Sequence, residues 1–234
     1  MHQSMRLLVL AALPLLLTPE AVLAQERFGR TAIYLERNVT DEDVEVRFEV
    51  AGTKDGLATL HVTAPDGRTV IDFRAPESKF GIRHLELESP EPRNDGRLQA
   101  DFPAGTYRFA GTTVGGMTLQ DEATLSHTFP PATSFLAPSP GQRGVPVAGL
   151  RIRWTPVEGV AAYLVVLEEE DTGREMRVQL LGTVTAFAVP VGFLSTGKEY
   201  KLAVSTVSKD GNRSFIETSF ETGSSGGGRR DTSD

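Results

Sequence analysis

The groups in this 234-residue chain that could do chemistry are four histidines, thirty-one carboxylates and no cysteine. His61, His84 and His127 fall in segments that read as strands. A zinc site built from them needs neighbouring strands to bring the rings together. No His-x-His or His-Glu-x-x-His spacing supports such a site. His61 lies on the polar phase of its segment with Thr59 and Thr63, whereas His127 lies on the apolar phase with Leu125 and Phe129. Opposite phases predict opposite faces. Asp41-Glu42-Asp43 and Glu168-Glu169-Glu170-Asp171 could gather calcium, which takes several oxygen ligands. Neither follows an Asp-x-Asp-x-Asp-Gly spacing, and charge runs at hairpin ends read as solvated. A carboxylate pair for glycoside hydrolysis needs a cleft, which short-looped strands provide poorly. No serine sits in a nucleophile elbow between a strand and a helix.

Non-catalytic recognition leaves a fainter mark. Aromatic residues make up 7% of the chain and include one tryptophan. Tyr34 and Tyr107 are the candidates for outward-facing rings, with Tyr107 expected beneath the Pro103–Gly105 turn. There is no Arg-Gly-Asp. Asp66-Gly67-Arg68 and Asp95-Gly96-Arg97 run in the reverse order, and Asp-Gly is an ordinary turn pair. No catalytic, metal-binding or cofactor-binding residue is assigned, no cofactor is expected, and the chain reads as a non-enzyme.

The elements that would position these groups are strands. Val44, Val46, Phe48 and Val50 alternate with charged residues, the period of a half-buried strand. Leu60 and Val62 alternate with Thr59, His61 and Thr63. A turn at Ala64-Pro65-Asp66-Gly67-Arg68 returns the chain through Thr69–Ala75 as a hairpin. Gly81–Leu87, a strand through Tyr107 and Phe109, and Met117–Phe129 continue the pattern. Pro90–Gly96 reads as a polar loop. No segment before residue 130 has helical periodicity once the N-terminal segment is set aside. About seven strands in roughly 100 residues is the spacing of a β-sandwich.

That N-terminal segment is a secretory signal by its three parts: Arg6, the apolar run Leu7–Leu17, and small residues ending at Ala24. The run is shorter than the about 20 residues that a membrane span needs. Without cysteine the signal is not that of a lipoprotein, and no disulfide can staple the fold. An exported chain, periplasmic or secreted, is expected, with residues 1–24 removed. Removal takes away one base, Arg6, and one acid, Glu20, so the net charge stays at −7. Residues 25–132 hold 18 acidic and 12 basic side chains, and residues 133–223 hold 10 and 9. An acidic chain with no basic stripe is a poor binder of nucleic acid or anionic membranes. Asn38-Val39-Thr40 and Asn212-Arg213-Ser214 match the glycosylation pattern, and such matches arise often by chance.

Pro130-Pro131-Ala132 and Pro138-Ser139-Pro140-Gly141 mark a change of domain through a short, stiff linker. Beyond it Leu150, Ile152 and Trp154 alternate with arginines, followed by strands at Ala162–Glu168, Glu175–Leu181, Ala186–Pro190, Glu199–Ser208 and Ser214–Glu221. Lys209-Asp210-Gly211-Asn212 is a hairpin turn. Trp154 precedes a Pro156-Val157 turn and the aromatic Tyr163, and Leu194 stands six residues before Tyr200, which Leu202 and Val204 follow in alternation. This set resembles the fibronectin type III family over residues 135–222. The resemblance implies a β-sandwich with Trp154 in its core and Tyr200 in a tyrosine corner. Ser195-Thr196 departs from the proline that many members carry before the glycine.

The expected architecture is therefore all-β: a signal peptide (1–24), an immunoglobulin-like sandwich (25–132), a fibronectin type III-like sandwich (133–222), and a Gly/Ser-rich tail (223–234) expected to be disordered. The expected role is structural or binding, toward another envelope protein, a surface polymer or an identical chain. Edge strands and the loops Pro76–Gly81 and Pro90–Gly96 are the candidate contacts. An accessory module, a hydrolase with an unrecognised carboxylate site, and a chaperone-like protein using the groove between domains are the alternatives.

Overall fold

The computed structural model describes residues 26–75 and 81–224. The expected signal segment with residue 25, the tail beyond residue 224 and residues 76–80 of the Pro76–Gly81 loop lie outside the described residues.

Fourteen strands and one short helix follow in chain order. The first half has β1 (Arg30–Asn38), β2 (Asp43–Ala51), β3 (Leu57–Thr63), β4 (Thr69–Arg74), β5 (His84–Glu88), α1 (Asp95–Asp101), β6 (Gly105–Thr113) and β7 (Thr118–Leu125). The second has β8 (Phe135–Ala137), β9 (Arg151–Trp154), β10 (Ala162–Glu169), β11 (Arg174–Leu181), β12 (Ala186–Ala188), β13 (Glu199–Val207) and β14 (Arg213–Glu221).

Each half is a sandwich of the same wiring. In the first, β1-β2-β5 faces β4-β3-β6-β7; in the second, β8-β9-β12 faces β11-β10-β13-β14. Every strand of the second half sits where the strand seven places earlier sits in the first. Two apolar cores fill the sandwiches. One gathers Leu35, Val46, Phe48, Val50, Leu60, Val62, Tyr107 and Phe109. The other gathers Ile152, Trp154, Tyr163, Val165, Tyr200, Leu202, Val204 and Phe220. These are the inward phases of the period-two pattern, because alternate side chains of a strand point to opposite faces.

The helix corrects the expectation that no helix precedes residue 130. Asn94 caps it, its side chain accepting the Arg97 N–H at 2.9 Å. Only Leu98 is buried in α1. Seven residues with one apolar anchor cannot show a 3.6-residue period, so the Asn94-Asp95-Gly96 sequence reads as a turn.

The two sandwiches are not beads on a linker. Strand β1 pairs in parallel with β14, matching Glu36 with Arg213, Arg37 with Ser214 and Asn38 with Phe215. This fuses β1-β2-β5 to β14-β13-β10-β11 as one seven-stranded sheet. Both remaining sheets pack on the same side of it, since the core residues of β1, β2, β10, β13 and β14 share one phase of the common register. The opposite face of the seven-stranded sheet carries no third layer among the described residues.

Candidate functional site

The seam between the sandwiches is built by one turn. Gly211 takes φ +95°, a left-handed conformation that suits glycine, and so ends the β13–β14 hairpin with Asn212 turned inward. Asn212 is 1% exposed. Its Oδ1 accepts the Leu35 backbone N–H at 2.8 Å. Its Nδ2 donates to the carbonyls of Ser126 and Thr128 at 3.0 and 2.9 Å. One amide thus ties β14 to β1 and to the segment leaving β7. Thr206 Oγ1 donates to the Pro131 carbonyl at 2.8 Å, and Arg37 stacks on Phe129. The chain entering the Pro-rich connection is held from Ser126 to Pro131.

Outside this hinge lies a charged cluster. The Tyr34 hydroxyl donates to Glu49 at 2.7 Å. Arg213 stacks over the Tyr34 ring at 4.2 Å and reaches Glu36 at 3.2 Å and Glu49 at 3.5 Å. Arg30 closes on Glu49 at 2.6 Å. Burial and the bond to Glu49 hold the Tyr34 phenol well above its usual range. Burial alone would raise Glu49 also, but the Tyr34 hydroxyl with Arg30 and Arg213 more than offsets it and holds the carboxyl below its ordinary value.

The open face of the seven-stranded sheet runs across this cluster. A single cross-strand row reads Gln179, Leu164, Ser205, Phe215, Asn38, Asp43, spanning both sandwiches. The next row toward the far end of the second sandwich reads Arg177, Val166, Ala203, Glu217. Leu164, Val166, Ala203 and Phe215 are half-buried with no layer above them. Two shallow grooves mark the face. One, of about 460 Å³, lies over the seam between Tyr34, Glu49, Arg213, Leu164 and Gln179. The other, of about 430 Å³, has Val166 and Ala203 in its floor, with Glu168, Glu170, Glu217 and Lys201 around it.

At the second groove Asn38 Nδ2 bonds both Asp41 and Glu217 at 3.0 Å, bridging the sandwiches. Burial, then the neighbouring carboxylates Asp41 and Asp43, push the Glu217 carboxyl above its ordinary value despite the Asn38 bond. Among the described residues, Asp41, Asp43, Glu168 and Glu217 have no cation within 4.0 Å, and Lys201 reaches Glu170 at 3.5 Å.

The residues singled out from sequence are dispersed. His61 lies beside Thr69 at 3.4 Å, His84 bonds Glu86 at 2.9 Å, and His127 bonds the Phe102 carbonyl at 2.8 Å. Among the described residues no three His, Asp or Glu side chains form a metal-binding group. The tyrosines offered as outward rings are both buried. Tyr34 is roofed by Arg213. Tyr107 donates to the Pro103 carbonyl at 3.1 Å beneath the expected turn, and burial, then Asp66, push its phenol up to about 12. Both asparagines of the glycosylation pattern, Asn38 and Asn212, are buried in the seam. A Ser-x-x-Lys spacing at Ser195–Lys198 makes no nucleophile pair: Lys198 Nζ holds Asp171 at 2.8 Å, and the Ser195 backbone carries its contacts to Tyr200 and Thr222.

The second sandwich is fibronectin type III-like by its own geometry. Trp154 and Tyr163 pack with ring centroids 5.4 Å apart, and the Tyr200 hydroxyl accepts the Ser195 N–H at 2.8 Å. No family model matches the sequence, and no curated protein matches it. Among solved structures, the fibronectin(III)-like modules of Clostridium thermocellum CbhA align over 88% of this chain and 93% of theirs, at 10% identity and a TM-score of 0.35. A two-domain fibronectin type III segment of chicken tenascin aligns over 84% of this chain and 97% of its own, at 14% identity and a TM-score of 0.31. Likenesses this distant leave the assignment to strand order and core packing.

Proposed function

We propose that the chain is an exported, non-catalytic interaction module whose two sandwiches act as one body and present the open face of the seven-stranded sheet to a partner. The observation that carries this reading is the β1–β14 pairing, reinforced by Asn212, which turns two sandwich faces into one continuous surface. A flexible pair of modules would present two small faces at variable angles. A fused sheet fixes them, which lowers the ordering cost of binding. The grooves on that face are shallow and open. The groove at Val166 and Ala203 has an aliphatic floor and a charged rim, a composition that fits contact with another macromolecule.

Export rests on Arg6, the Leu7–Leu17 run and Ala24. The test has two parts. The secreted form should begin at Gln25 when its N-terminus is sequenced; a retained residue 1 would remove the export reading. The mature chain, immobilised, should capture a component of the native envelope. Reproducible absence of any captured protein or polymer overturns the module reading.

A further inference from the structure

We propose that the groove floored by Val166 and Ala203 docks a cationic, extended polypeptide segment of a partner protein. This rests on the interaction-module reading and names the chemistry of the partner.

Three observations converge on this groove. Its floor is apolar and unpartnered. Val166 and Ala203 lie side by side across β10 and β13, with Leu164 and Phe215 one row away, all half-buried on a face that carries no further layer among the described residues. Its rim is negative beyond what its own cations balance. Among the described residues Glu168 and Glu217 have no cation within 4.0 Å, while the one lysine of the lining, Lys201, already leans on Glu170. The lining joins Thr40 of the first sandwich to strands of the second, and Asn38 bonds both Asp41 and Glu217, so the β1–β14 pairing shapes one end of the site. The crowding is felt at Glu217, whose carboxyl is harder to ionise than usual through burial and then through Asp41 and Asp43. A cation brought by a partner would relieve that repulsion.

The form of the partner follows from the form of the groove. Its floor and rim side chains repeat along strands, at the spacing of alternate residues in an extended chain. A segment whose every second residue is in turn aliphatic and cationic would set its apolar side chains on Val166 and Ala203 and its cations toward Glu168 and Glu217, all from one face of the extended chain. An anionic polymer would meet three carboxylates balanced by one lysine and be repelled.

The probe is a short synthetic peptide in which every second residue is in turn valine and lysine, with threonine between them, titrated against the mature chain at low ionic strength, with the lysine-acetylated peptide as its control. The parent chain should bind the first and not the second, and binding should weaken as salt is added. The E168Q/E217Q variant should bind about tenfold more weakly, since each rim charge contributes a modest pairwise attraction. E168Q alone, at a strand position whose side chain bonds nothing in the fold, should weaken binding in part. Failure of the parent chain to bind the lysine peptide, or equal binding by E168Q/E217Q, overturns the proposal. Envelope capture that is indifferent to E168Q/E217Q also overturns it while leaving the module reading standing. A parent chain that captures nothing removes that broader reading instead.

Discussion

The Asn212 side chain accepts the backbone N–H of Leu35 at 2.8 Å, across 177 positions of sequence. Leu35 belongs to the core of the first sandwich and Asn212 to the hairpin turn of the second. The same amide donates to the carbonyls of Ser126 and Thr128. Three backbone groups from two places in the chain therefore depend on one side chain that is closed off from water.

Truncating that side chain tests whether the sandwiches fold as one. Asn212→Ala leaves the Leu35 N–H and two carbonyls unsatisfied, and a buried polar group without a partner costs about 1–3 kcal/mol. The parent chain should unfold in a single denaturant transition with β1 and β14 lost together. The variant should lose about 3 kcal/mol and split into two transitions as the sandwiches separate. A variant that keeps one sharp transition at the parent midpoint contradicts the seam.

The seam shows what the sequence could and could not convey. Alternation placed Val46, Phe48, Val50, Leu60 and Val62 inward, because a strand's two faces are written in its residues two by two. Trp154, Tyr163, Leu194 and Tyr200 were legible as a set because a tyrosine corner and a buried tryptophan need particular spacings. The β1–β14 pairing has no such local signature. Parallel partners 177 residues apart share no turn, and Glu36 facing Arg213 is one charge pair among many on an edge. Tyr34 read as an outward ring because its phase is outward; only the arrival of Arg213 from the other sandwich buries it. The groove at Glu217 was hidden for the same reason, since its lining joins Thr40 to strands of the second sandwich. The first sandwich carries no family pattern, yet its strand order repeats that of the second.

The Tyr34–Glu49 bond gives a second test. Tyr34→Phe removes the hydroxyl without changing the ring that Arg213 covers, and should cost about 1 kcal/mol at neutral pH, the usual net value of one hydrogen bond. Glu49 has a folded value held below the ordinary 4.5. Its stabilising contribution is therefore complete above 4.5 and is lost as pH falls through the depressed value. Removing a group that holds it low should move the acid-unfolding midpoint to higher pH. Equal acid midpoints for parent and variant would show that Tyr34 does not support the Glu49 carboxylate.

Trp154 tests the second core directly. It is 1% exposed and packs on Tyr163, and its indole Nε1 has no hydrogen-bond partner. Trp154→Ala should cost about 3–5 kcal/mol. Trp154→Phe keeps an aromatic ring and relieves the unpaired N–H, so it should cost much less than the alanine variant. Comparing the two by thermal unfolding separates packing from the indole proton. Equal losses would mean that the ring volume is not what the core requires.

Glu217 predicts a pH dependence of the opposite sign to that of Glu49. Its folded value lies above the ordinary 4.5, through burial first and then the neighbouring carboxylates Asp41 and Asp43. The native state therefore holds this proton more tightly than the unfolded chain does. Its favourable effect on stability is fully present below 4.5 and is lost as pH rises from there through the raised value. At neutral pH the ionised carboxylate weakens the seam. Glu217→Gln keeps the shape and the Asn38 acceptor while removing the charge. It should raise the melting temperature at pH 7, and the gain should shrink as pH falls toward and below 4.5. Thermal unfolding of both chains across this range decides the matter. A variant less stable than the parent at pH 7 would mean that the Glu217 charge is compensated and that the acidic rim is not in excess.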